Sequence, residues 1–549
     1  MHLLKMKALA LSLCSSLYAL SQDSVTVQQI TAAENLLDLK FSAVKKDSLV
    51  SGLQDKQHTY QWMHKNDLPN DAPMPLLFDP VLPGMSFDKF QATLHWKIPD
   101  SVDLPKNPDE LGFFSILQLA SLIRHKKISS VELTKVFLNR LKKYSMTLHC
   151  VIELTEDIAL AQAAKADADF AKGIDKGPLQ GIPYGIKDLF SVKGTHTTWG
   201  SPPFKNQVID ETCFVAQQLQ KAGAVLVAKL SLGELAMDDV WFGGLTRNPW
   251  NLEKGSGGSS AGSASATAAG LVVFAIGTET YGSIVDPSSR CGATGLRPSF
   301  GSIARTGAMA LAWSSDKIGP ICRSAEDAAI VFSVIHGTDG IDASARKMPF
   351  NYTGRIDISK LRIGYARNYI DSLPAGSPEK NVLDALRKMG AKLTPFDFPD
   401  SLHGDEILSL IVFAESGAAF DPLTRSNRDD DMVQQNKDRW PNTFRIARFI
   451  PAVEYINACR VRYEIMQKML PVYNQFDFII APPETGDQLA ITNLTGNPSI
   501  TLPTGLGNDG MPSSISFIGK LFDEARLLAF AKAFQDITKF QLQHPKGFL

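Results

Sequence analysis

The order of apolar and polar positions along this chain predicts helices alternating with short buried strands. From Phe114 onward, SILQLASLIRHKK carries its apolar residues on one helical face. Ser129-Ser130-Val131-Glu132 is a capping-box pattern that opens a second helix, VELTKVFLNRLKKY. Residues 156–172 are Ala-rich and helical, and GPLQGIPYGIKDLF is a short strand punctuated by Gly and Pro. ETCFVAQQLQKAGA and then VLVAKL form a helix-to-strand unit in which Gly223 is the helix stop. Further strand-length apolar runs are LVVFAIG (271–277), LRIGYA (361–366), FDFIIAP (476–482), PSITLP (498–503) and SSISFIG (513–519). DEARLLAFAKAFQDITKF reads as a C-terminal helix. This alternation predicts an α/β layered fold with a mainly buried sheet and no internal repeat.

The ends have a different texture. MHLLKMK, an apolar stretch and Ser21-Gln22-Asp23 have the layout of a secretory signal peptide over residues 1–21, too short for a comfortable membrane span. A buried N-terminal helix is the alternative. Residues 22–111 read as an extension, helical in ITAAENLLDLKFSAVKKDSLVSGL and Pro-rich in NDLPNDAPMPLLFDPVLPG. The main domain then runs over 112–549. Within it, about 338–475 is polar and irregular at first and helical later, the place to look for a cover over substrate.

Composition narrows the function classes. The chain has 549 residues, 44% hydrophobic and 21% charged, ordinary for a soluble enzyme. Lys plus Arg is 56 and Asp plus Glu is 57, a balance that gives no electrostatic reason for nucleic acid or an anionic membrane as partner. Cys14 would leave with the signal, and the other five cysteines lack CxxC spacing. The histidines show no clustered ligand spacing, so no metal is implied. Export would permit disulfides, which the sequence cannot pair.

Chemistry concentrates in three segments. Residues 255–270, GSGGSSAGSASATAAG, hold only Gly, Ser, Ala and Thr and run into LVVFAIG. Such a tract is commonly a flexible linker, but a linker stays polar. A tight turn, a short close-packed helix and a buried strand fit this one better. The segment contains Gly257, Gly258, Ser259 and Ser260, and no lysine closes it as a phosphate-binding loop requires. Gly277-Thr278-Glu279-Thr280-Tyr281-Gly282-Ser283 follows, and Gly185-Ile186-Lys187-Asp188 precedes. A serine hydroxyl needs a base, and no histidine is near in sequence, so Lys187 is the plausible one. It accepts a proton only when neutral, which burial among residues such as Ile182, Ile186 and Leu189 favours. Alone, Lys187 reads as well as a structural lysine paired with Asp188, the two serines as turn caps, and Ser283 as a helix cap.

Together these segments resemble the amidase signature family, serine amide hydrolases with a Ser–cisSer–Lys triad. The likeness spans roughly residues 112–540 and includes DETCFVAQQLQKAGAVLVAKLSLGELA, NPWN and NLTGNPSITLP. It implies a single α/β/α layered domain with a mixed sheet, no cofactor, and a small-molecule or peptide amide as substrate. It implies Ser283 as nucleophile, Ser259 as proton relay on a cis peptide bond, and Lys187 as base. The backbone N–H groups of Thr280, Tyr281, Gly282 and Ser283 would form the oxyanion hole, with Ser260, Gly257 and Gly258 in support. Two departures stand out. Tyr281 replaces a glycine, and Ser283-Ile284-Val285-Asp286 lacks the arginine of the familiar Ser-Ile-Arg. Asn351 and Asn493 match glycosylation acceptors, and His196 and Trp199 follow the lysine strand in a loop that could touch substrate. Alternatives are the glutaminase-type component of an amidotransferase, a non-catalytic amide-binding relative, and a structural envelope protein. Oligomeric state is open.

Overall fold

The computed structural model describes residues 25–37, 39–65, 69–70 and 76–549. The signal peptide anticipated over 1–21, with Cys14, lies outside them. The chain divides into two compact units between residues 72 and 73, so the Pro-rich segment after residue 75 belongs with the large body, not with the helices before it. The first unit contains the helices Val27–Leu36 and Ala43–His64; Thr26 opens the first with a reciprocal bond to Gln29.

In the large unit, local signals seed the helices. Ser115 and Ser129 form capping boxes with Gln118 and Glu132, opening Ile116–Arg124 and Ser130–Leu148. Glu156–Ala171 and Phe214–Lys221 follow, then Ala325–Ile335 and Glu524–Thr538. The first strands are β1 (Val151–Leu154), β2 (Pro183–Lys187) and β3 (Val225–Leu230). Two short ribbons come next, β4 (Val240–Trp241) with β5 (Gly244–Leu245) and β6 (Arg247–Asn248) with β7 (Asn251–Gly255). Then come β8 (Phe274–Glu279), β9 (Thr294–Arg297), β10 (Lys317–Cys322), β11 (Arg362–Ala366) and β12 (Lys392–Phe396). The last are β13 (Phe478–Ala481), β14 (Ser499–Leu506) and β15 (Pro512–Ile518).

Eleven of these strands form one sheet in the order β1-β3-β2-β8-β10-β9-β14-β15-β13-β11-β12. The pairs β3/β2, β2/β8, β13/β11 and β11/β12 are parallel, and the others are antiparallel. The sheet is mixed and buried on both faces. Val225 and Val227 of β3 pack into one apolar cluster with Leu138, Ala159 and Ala266, while Leu226 between them packs into the larger one with Ile186 and Phe274. The segment 338–475 is irregular to about residue 357. It then contributes β11 and β12, and ends in the helices Gly404–Ala419, Trp440–Ala447 and Ala452–Gln475. The cysteines 150, 213, 291, 322 and 459 are all free thiols. Among the described residues, no helix is long and apolar enough to cross a membrane.

Candidate active site

Lys187 is the last residue of β2, set beside the C-terminal end of the parallel neighbour β8. The side chain is completely buried. Its Nζ reaches Ser259 Oγ at 2.9 Å, Ser260 Oγ at 3.1 Å and Thr278 Oγ1 at 2.9 Å. All three contacts are hydroxyls, and among the described residues no carboxylate touches the amine. Asp188 instead pairs with Lys229 at 2.6 Å and accepts from Thr198. Burial lowers the Lys187 amine to about 7, against a smaller upward pull from Asp316 and Glu279.

The Gly/Ser/Ala tract folds as a turn, the helix Ala261–Ala268 and then β8. The Gly258–Ser259 peptide bond is cis. Gly258 is required by space, since a Cβ there would lie 1.7 Å from the Asp238 carbonyl oxygen. Ser260 Oγ donates to the Thr278 carbonyl at 3.0 Å and accepts the Thr278 N–H at 3.1 Å, which ties the tract to β8. Its backbone N–H donates to the Ser283 carbonyl at 3.1 Å, so both serine segments and the lysine strand converge.

After β8 the chain turns through residues 280–284 into the helix Val285–Cys291, and Gly282 takes a φ of +88°, open to glycine without strain. Among the described residues, the N–H groups of Tyr281, Gly282 and Ser283 donate to no protein acceptor. The next two, Ile284 and Val285, donate to Glu279 Oε2 at 2.9 and 3.0 Å. Glu279 is fully buried and also meets Arg297 Nη1 at 3.1 Å and Asn493 Nδ2 at 3.0 Å. Burial raises its carboxyl, but Arg297, Lys317 and these hydrogen bonds outweigh that and hold it below the usual carboxylate range. Thr280 Oγ1 donates to Asp316 at 2.6 Å, and Ser315 Oγ donates to the Thr280 carbonyl at 2.8 Å.

The remaining sequence candidates separate. Tyr281 reaches away from the turn, and its phenol donates to Asp405 on the helix Gly404–Ala419. Asn493 is buried against Glu279, so it is no glycosylation acceptor. Asn351 holds Phe90 and Ala92 of the Pro-rich segment's continuation. His196 is half-exposed beside Glu153, and Trp199 is buried against Phe204 and Phe420. Thr278, Arg297 and Asp316 were not foreseen. Alternation along β8 puts Thr278 on the face of Ile276 and Ile186 rather than that of Lys187, so the strand pattern did not mark it. Among the described residues, no group of His, Cys, Asp and Glu could hold a metal ion.

A buried amine on hydroxyls, beside a turn that presents unused N–H groups, is the equipment of acyl transfer. The profile of the amidase family matches residues 132–490. The chain belongs to the amidase family. This amidase is 32% identical to the A component of the glutamyl-tRNA(Gln) amidotransferase of Carboxydothermus hydrogenoformans, over 80% of its own length and 100% of that protein. It is 34% identical to the component of that name in Coxiella burnetii, over 79% and 99%. Its fold matches a native peptide amidase from Stenotrophomonas maltophilia with a TM-score of 0.71 at 28% identity, covering 79% of the amidase and 98% of that chain. The mixed sheet is the one these structures share, and the amidase is an amide-hydrolysing enzyme.

Proposed function

We propose that this protein is an exported serine amidase that hydrolyses a carboxamide C–N bond to a carboxylate and ammonia or an amine, through an acyl-enzyme on Ser283. The observation that carries the reading is the 2.9 Å contact of a buried Lys187 amine with Ser259 Oγ. A lysine held near 7 is half neutral at ordinary pH and can accept a proton. Ser283 Oγ attacks the carbonyl carbon as its proton passes to Ser259 Oγ, while the Ser259 proton passes to Lys187 Nζ. The carbonyl π pair moves onto oxygen, where the free N–H groups of the turn stabilise it. The C–N bond then breaks, with the proton returning along the same relay to the leaving nitrogen. Water attacks the acyl-enzyme by the same route and releases the carboxylate. Ser260, Gly257 and Gly258 hold the relay serine in place.

The test is a panel of amides assayed for released ammonia and amine, with Ser283→Ala as control. The variant should fold and lose turnover. Wild-type turnover by Ser283→Ala would end the assignment. Labelling of Ser283 by a fluorophosphonate separates an enzyme from a binding relative. A second reading, the glutaminase-type component of an amidotransferase, is favoured by the two amidotransferase relatives, which the chain covers almost end to end. Ammonia release from glutamine, strengthened by a partner protein, would select it. Export rests on the sequence of residues 1–21. N-terminal sequencing of protein recovered outside the cytoplasm should begin near residue 22, and an intact Met1 there would count against cleavage.

A further inference from the structure

Asp286 takes no part in that relay, yet it touches both serine segments. Its Oδ2 accepts the N–H of Gly258, the amide just ahead of Ser259, at 2.7 Å. Its own N–H donates to the carbonyl of Gly282, just ahead of Ser283, at 2.7 Å. Oδ1 pairs with Arg290 one turn along the same helix. The Gly257 N–H ends on Asp239 Oδ2 at 2.9 Å, so two successive amides before the relay serine are each held by a carboxylate. The fit around Asp286 is close, because a Cβ on Gly257 would lie 2.4 Å from its Oδ2.

We propose that Asp286 is a positioning residue that holds the Gly258–Ser259 segment against the Gly282–Ser283 turn. The inference rests on the amidase reading above. Without this side chain the Gly258 N–H loses its acceptor, Ser259 shifts from Lys187, and proton transfer slows. The departure from the family's Ser-Ile-Arg thus has a local counterpart, an Asp286–Arg290 pair behind the nucleophile.

The test is kcat and KM, on the best amide of the panel, for the full-length wild type, Asp286→Asn and Asp286→Ala. Asp286→Ala should lower kcat about a hundredfold with KM little changed, and Asp286→Asn should recover most of the loss, because its amide oxygen still accepts the Gly258 N–H. Full kcat in Asp286→Ala would overturn the inference, as would a loss in Asp286→Asn as large as in Asp286→Ala. A wild type that hydrolyses no amide would overturn the amidase reading and this inference with it.

Discussion

At the scale of the residue, the proposed chemistry turns on the charge of one lysine. The ordinary Lys value is 10.5, and burial brings Lys187 to about 7. On the proposed relay, turnover depends on a group that must be neutral, so kcat/KM should climb as pH rises through 7. A profile flat from 6 to 8 would contradict this. The same shift has a stability sign. Above about 7 the unfolded chain binds a proton that the folded chain does not, so Lys187 favours folding increasingly as pH rises towards 10.5. Lys187→Met should abolish hydrolysis, by about a thousandfold or more. Its melting temperature relative to wild type should be most favourable below pH 7 and decline above it. Thermal melts across that range check the sign. The segments that bring Lys187, Ser259 and Ser283 together were visible in sequence because their motifs are local runs of the chain. Thr278 and Asp316 were not. Thr278 meets Lys187 from a neighbouring strand, and Asp316 meets Thr280 from beyond another, and no run of sequence records those pairings.

At the scale of the element, the turn 280–284 is held from behind. Glu279 gathers two backbone N–H groups, Arg297 and Asn493 in a fully buried site. Glu279→Ala leaves the buried Arg297 uncompensated and should cost about 3–5 kcal/mol, read by denaturant unfolding. Turnover should fall as well, since the turn loses its anchor. A neutral effect on both would show that the turn is held by other means. Tyr281 ties the same turn to the helix Gly404–Ala419 through Asp405. Tyr281→Phe keeps the ring and removes that tie, and it should reduce kcat more than it weakens binding. Several elements were read from the apolar pattern, among them β3, β11, β13, β14, β15 and the capped helix Ser130–Leu148. The strands β9 and β10 were not, although they lie mid-sheet. Lys317–Cys322 contains Gly319-Pro320, which reads as a turn signal; it becomes a strand because β8 and β9 flank it on both edges and bury all six residues. β9 is only four residues long, too short for periodicity to mark it.

At the scale of the whole molecule, the mixed sheet assembles a site from segments far apart in sequence. β2 brings Lys187, β8 brings Thr278 and Glu279, and the helix Gln488–Leu494 brings Asn493. Alternating strands and helices predicted the layered class, but strand order is fixed by long-range packing and was not readable in advance. The helices before residue 72 form their own unit, while the whole sheet lies after it. Removing residues 1–72 should leave amide hydrolysis intact, measured on purified protein; loss of activity in a folded truncation would assign that unit a part in catalysis. The most direct measurement of the central claim is the rate at which a fluorophosphonate modifies the intact chain, followed against pH and mapped to its peptide by mass spectrometry. The account predicts modification at Ser283, at a rate that rises as Lys187 is deprotonated near 7 and that collapses in Lys187→Met while the fold persists. Modification elsewhere, or an undiminished rate in Lys187→Met, would contradict it.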